Sequence, residues 1–214
     1  MVLSLVFSKE AGLELHRRRL LACMAAAGPA LALGSVFGAA PAAAQTSSSL
    51  IDHARQALAR YGHKAINQQV VGLVDFAQPS SQARLHLVDL GRSQVTSLLV
   101  AHGRGSDPEH SGWVRRFSNE FGSFASCEGA FLTGAYYTGK HGRSMRLNGL
   151  EPTNSNAEAR EIVVHAAPYV GPGILRQTGK LGRSEGCFAL DVADLPVMLD
   201  RLGPGHLLVA GKLV

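Results

Sequence analysis

Charge is scarce in this 214-residue chain: 17% of residues are charged, and the formal net charge is only +5. Aromatic residues are scarcer still, at 6%. A nucleic-acid surface needs a basic stripe with interleaved aromatics, and none is present. An apolar content of 46% with so few charges excludes intrinsic disorder. No internal repeat occurs, and neither His-Glu-x-x-His nor paired-cysteine spacing is found, so a zinc centre is not expected. Gly103-Arg104-Gly105 is not followed by a convincing helical pattern, which removes the phosphate-loop reading. Cysteine is rare, with three in the whole chain.

What the chain has in quantity is glycine, at 24 residues, among many Val and Leu. That combination suggests short strands joined by turns. The first segment reads differently. Arg17, Arg18 and Arg19 precede an apolar stretch from Leu20 to Ala40, which ends in Ala42-Ala43-Ala44 and then Gln45. A positive end, an apolar middle and a small-residue exit describe a secretory leader over residues 1–44, with cleavage after Ala44. Pro29 and the Ala/Gly content argue against a membrane anchor, so no integral span is expected once the leader is removed. The arginine run also fits a twin-arginine signal, and ordinary secretion fits equally. Four of the 21 Lys/Arg and two of the 16 Asp/Glu fall within the leader, so the remainder carries a net charge of +3. Cys23 leaves with it, and Cys127 and Cys187 stay.

In residues 45–67 a polar linker at 46–49 is expected to lead into a helix, with Ile51, Ala54, Arg55 and Leu58 on one side and Gly62 at its end. Strands are expected at 70–77 and 83–90 around the loop 78–82, then at 94–101. Residues 102–122 form a long polar stretch, which in a compact domain is functional or has hidden structure. Further strands are expected at 128–137 and 143–147, at 160–166 with Ile162-Val163-Val164 buried, and at 206–214. Residues 191–202 read as a short helix with Pro196 in its first turn. The expected class is mainly β, a sandwich-like or curled mixed sheet with two short helices, the main domain covering residues 68–214.

The residues suited to chemistry are Gly182-Arg183-Ser184-Glu185-Gly186-Cys187, with His165 at the end of a buried strand. A thiol attacks as thiolate, and an imidazole brought near by the fold can take its proton. Gly186 frees the backbone to turn N–H groups toward a developing oxyanion. Alternatives stand beside each candidate. Cys127 and Cys187 of an exported protein would ordinarily pair as a disulfide, giving a stapled, non-catalytic wall-binding domain. His102 and His141 are loop histidines or line a cleft. Tyr136 and Tyr137 pack across strands or offer a hydroxyl. Arg143 and Arg183 are solvated charges or carboxylate ligands. Ser184 shapes its loop through its hydroxyl.

At these residues the chain resembles the murein L,D-transpeptidase catalytic domain family. The signature is His165, an interval, and Ser184-Glu185-Gly186-Cys187. Further matches lie in Phe117-Ser118-Asn119, Gly122-Ser123, Phe131-Leu132-Thr133-Gly134, Tyr137, Lys140-His141-Gly142 and residues 160–170. Where the better-studied branch has a second histidine after the serine, this chain has Glu185, and Phe188-Ala189 follow the cysteine. The resemblance implies that Cys187 attacks a peptide carbonyl, that His165 is the base, and that the Ala166 carbonyl orients it. Gly186 would serve the oxyanion, and Arg183, Ser184, Tyr137 and His141 would contact substrate. It implies peptidoglycan stem peptides as partners, in the periplasm or cell wall, and no cofactor. Transfer to an amine and transfer to water (carboxypeptidase or endopeptidase action) both remain open, as does the oligomeric state.

Overall fold

The computed structural model describes residues 42–213, so the leader read from the sequence lies almost wholly outside the described residues. Helix α1 spans Ala42–Tyr61 and ends at Gly62, as expected. Residues 46–49, expected as a linker, belong to this helix. The preceding alanines are strong helix formers, and no Gly or Pro interrupts the run from Ala42. Leu50, Ala54 and Ala57 are buried with Ile51, Leu58 and Tyr61 packed beside them, while Arg55 points out to Asp52.

The strands are β1 (Val70–Asp75), β2 (Leu85–Asp89), β3 (Gln94–Leu98), β4 (Val100–Ala101), β5 (Gly129–Gly139), β6 (Gly142–Gly149), β7 (Val163–Ala166), β8 (Phe188–Leu190) and β9 (Leu207–Gly211). They form one mixed sheet in the order β3-β2-β1-β9-β5-β6-β7-β8-β4. The β1/β9 and β7/β8 pairs are parallel, and the other pairs are antiparallel. The expected class is therefore the observed one. One expected strand, 94–101, divides in two: β3 and β4 lie at opposite ends of the order, yet only Leu99 separates them. Two consecutive Cα–Cα steps reach about 7 Å, so the two ends of the sheet must meet and the sheet curls round.

β1 is buried along its whole length. Val71 and Leu73 face α1, and Val70 and Val74 face the main core, which explains its unbroken apolar run. Helix α3 (Leu195–Arg201), with Pro196 in its first turn, brings Leu195, Met198 and Leu199 onto that core. A third helix, α2 (Pro172–Thr178), was not expected from the sequence. It buries no residue and so shows no apolar stripe; Pro172 opens it and left-handed Gly179 closes it. β8 was also missed, because three residues are too few for a period to show. No described helix is long and apolar enough to cross a membrane.

Alternation along neighbouring strands builds the site. Met145, Val164 and Phe188 are in register and fully buried on the core face. Their neighbours Ser144, Arg146, Val163, His165 and Ala189 therefore share the opposite face, and Cys187, two residues before Ala189, joins them.

Candidate active site

Cys187 and His165 line one cleft of about 850 Å³. The candidates Tyr137, His141, Arg183 and Ser184 line it too, along with Lys140, Arg146, Arg160, Glu161, Tyr169 and Glu185. Arg143 and Tyr136 are not among its lining. Arg143 stacks over the Tyr136 ring at 4.6 Å, and the Tyr136 hydroxyl donates to Leu199 O at 2.5 Å.

His165 is 1% exposed, and its Nδ1 lies 2.8 Å from the Ala166 carbonyl oxygen. A carbonyl only accepts, so Nδ1 carries the proton and the neutral ring leaves Nε2 with a free lone pair. The His141 ring stacks on His165 with centroids 4.2 Å apart. Burial lowers the His165 pKa; the Ala166 carbonyl opposes this, and the charges of His141 and Lys140 reinforce it. The imidazole is therefore neutral at neutral pH.

Cys187 stands opposite Val163 in the continued β7/β8 register, and its thiol hydrogen bond goes to the Glu161 carbonyl at 3.5 Å rather than to His165. Burial raises the thiol pKa, with the Val163 N–H and the charges of Lys140 and Arg160 opposing and Glu185 reinforcing. A neutral thiol and a neutral imidazole in one cleft are thus the resting groups.

The loop before Cys187 is fixed by buried groups. Ser184 N donates to His102 O and Arg104 N to Ser184 O, at 2.9 and 2.8 Å. The Ser184 hydroxyl donates to Cys187 O and accepts from Gly186 N, so its role is to shape the turn. Ser126, wholly buried, accepts from Gly103 N and donates to Gly186 O at 3.1 Å. With the Gly186 carbonyl turned inward, the trans peptide presents the Cys187 N–H on the other side. Gly186 has φ +119, and a Cβ there would meet Ala125 O at 2.8 Å.

His102 sits at the strand–loop edge directly after β4, but it is buried and is not among the cleft's lining. Arg84 donates to its Nδ1 at 2.7 Å, so its Nε2–H faces Asp107 at 3.3 Å. Burial and the Arg84 charge bring its pKa down to about 4, so it stays neutral. Asp107 accepts further bonds from Ser111 and Gly112. The polar stretch after residue 101 thus joins Arg84 in a buried Arg-His-Asp chain that carries the His102 carbonyl bonded to the Cys187 loop. Arg183 is anchored to the same stretch, donating to the carbonyls of Asp107 and Pro108. Both Cys127 and Cys187 are free thiols. Cys127 is buried and receives Arg160 at 2.9 Å, so no disulfide staples the domain. Among the described residues no cluster of His, Cys, Asp or Glu suits a metal ion.

A family model described as the L,D-transpeptidase catalytic domain matches residues 42–210. Among solved structures, an L,D-transpeptidase from Mycobacterium smegmatis is 14% identical, with TM-score 0.39 over 67% of this chain and 58% of that one. One from Mycobacterium tuberculosis H37Rv is 15% identical, with TM-score 0.39 over 67% and 57%. A helical cell shape determining protein from Campylobacter jejuni is 12% identical, with TM-score 0.44 over 78% and 56%. The matched region is thus under three fifths of each of those chains. No curated protein matches the sequence.

Proposed function

The chain belongs to the L,D-transpeptidase catalytic domain family, and from that premise we propose that it modifies peptidoglycan by acyl transfer through Cys187. The observation that carries this reading is the placing of Cys187 and His165 on one face of β7 and β8, in one cleft, with His165 Nδ1 bonded to the Ala166 carbonyl. His165 Nε2 takes the proton from Sγ, and the thiolate attacks the carbonyl of the L-centre of a stem peptide. Rotation of the Cys187 side chain away from Glu161 O brings the thiol to the imidazole. The Cys187 N–H, aimed by the Gly186 peptide, receives the oxyanion. Collapse breaks the C–N bond, and the departing amine of the terminal D-residue takes the proton from His165. A thioester remains, which an amine of a second stem peptide resolves into a cross-link. Arg183 is half committed to main-chain carbonyls, whereas Tyr137 and His141 offer the cleft a hydroxyl and an imidazole. The sequence of residues 1–44, which reads as a secretory leader, supports work outside the cytoplasmic membrane, in the periplasm or wall.

The test uses a stem tetrapeptide with a diamino acid at its third position. The protein should release the terminal D-residue and, with excess acceptor, form a cross-linked product. Cys187→Ala should release none, while Cys127→Ala should keep turnover. Equal release by Cys187→Ala would remove the thioester reading.

A further inference from the structure

We propose that Glu161 selects an ammonium-bearing acceptor over water at the Cys187 thioester; the inference rests on the acyl-transfer reading above and specifies its second half. Glu161 lies in the left-handed region, at φ +55, where β7 is entered. This conformation directs its carbonyl at the Cys187 sulfur, 3.5 Å away, while its exposed side chain lines the cleft.

The other charges of the cleft are largely committed. Glu185 pairs with Arg104 at 3.0 Å. Arg160 donates to the carbonyls of Ser118 and Ala125, to Ser123 and to Cys127. Arg183 donates to two main-chain carbonyls, and Arg146 lies over the Tyr137 ring at 4.7 Å. Among the described residues only two charged side chains of the cleft make no ion pair, hydrogen bond or ring contact: Lys140, in the β5–β6 turn, and Glu161. They have opposite signs. The donor peptide ends in the D-residue that departs, whose carboxylate Lys140 attracts. An acceptor amine arrives as an ammonium ion, which Glu161 attracts.

In the second half-reaction the ammonium ion held at Glu161 gives one proton to solvent. The amine lone pair then attacks the thioester carbon, and the C–S bond breaks as the amide C–N bond forms. His165 takes the second amine proton and returns it to the Cys187 sulfur. Water can follow the same path but gains nothing from Glu161.

The test is the partition of one acyl-enzyme on the full chain. Acyl-enzyme is first confirmed by mass, and the ratio of aminolysis to hydrolysis product is then measured with two acceptors. One is a cationic diamino acid amide; the other is hydroxylamine, which is neutral at neutral pH. In Glu161→Gln the ratio for the cationic acceptor should fall about tenfold, and high salt should lower it in the native protein. The hydroxylamine ratio should change less than about twofold, and Glu161→Asp should restore part of the cationic preference. An unchanged cationic ratio would overturn the proposal, as would an equal fall for both acceptors, which marks a merely structural residue. Absence of any acyl-enzyme in the native protein would instead remove the thioester reading, and this proposal with it.

Discussion

Replacing His165 with glutamine should slow acylation of Cys187 by about 10³, within the range that general-base catalysis contributes. The resting thiol is held neutral by burial, so the protein has no standing thiolate to fall back on. Glutamine can still bond the Ala166 carbonyl but cannot take a proton. The pH dependence separates this role from a packing role. The base works only when neutral, so acylation in the native protein should fall as pH drops through the His165 pKa, which burial places below the ordinary histidine value. In His165→Gln the slow residual rate should show no such acid limb. Stopped-flow or quenched acylation between pH 4 and 8 reads both effects, taking about 6.5 as the unperturbed histidine value. A native acid limb lying clearly above that value would contradict the neutral-pair description.

Gly186→Ala should damage both the fold and the chemistry. Its φ of +119 is outside what an L-residue adopts easily, and the new Cβ would meet Ile162 Cδ1 at 2.6 Å and Ala125 O at 2.8 Å. The backbone must rotate, and with it the Cys187 N–H that faces the oxyanion. Loss of about 2–3 kcal/mol in stability is expected from strain and contact together. Surviving folded protein should acylate about 10²-fold more slowly, as when an oxyanion donor is removed. Gly179→Ala is the control. Gly179 also has positive φ (+73), but no atom lies within 4 Å of its virtual Cβ, so only about 1 kcal/mol of backbone cost should appear. Thermal melts and acylation rates of the two variants distinguish the close approach at Gly186 from a general cost of replacing glycine.

Cys187 and His165, the nucleophile and base proposed above, stood out in the sequence because both lie in compact, recognisable segments, Arg160 to Ala166 and Gly182 to Cys187. Long strands were legible too, since Leu85 and Leu87 alternate with Val88 and Leu90 across two covered faces. The break at Leu99 was not, because composition does not change there; only the partner strand does, from β2 to β8. The Arg84–His102–Asp107 chain was hidden for a related reason. Arg84 lies 18 residues from His102, and a charged side chain at the start of a strand gives no sign that it will be wholly buried. Glu161 stood inside a recognised segment, but its role depends on a left-handed backbone and on which neighbouring charges are already paired. Neither property has a sequence pattern. Arg183, a candidate from its place beside the serine, is tethered to the 102–122 stretch by main-chain carbonyls. Lys140, next to His141 in the β5–β6 turn, is instead the uncommitted cation of the cleft among the described residues.

The central claim is that Cys187 accepts an acyl group while Cys127 does not. Intact mass after incubation with a carbapenem, which acylates an accessible nucleophile without needing an acceptor, tests it most directly. One adduct is expected in the native protein and in Cys127→Ala, and none in Cys187→Ala. An adduct that persists in Cys187→Ala, or no adduct on folded, reduced native protein, would contradict the account.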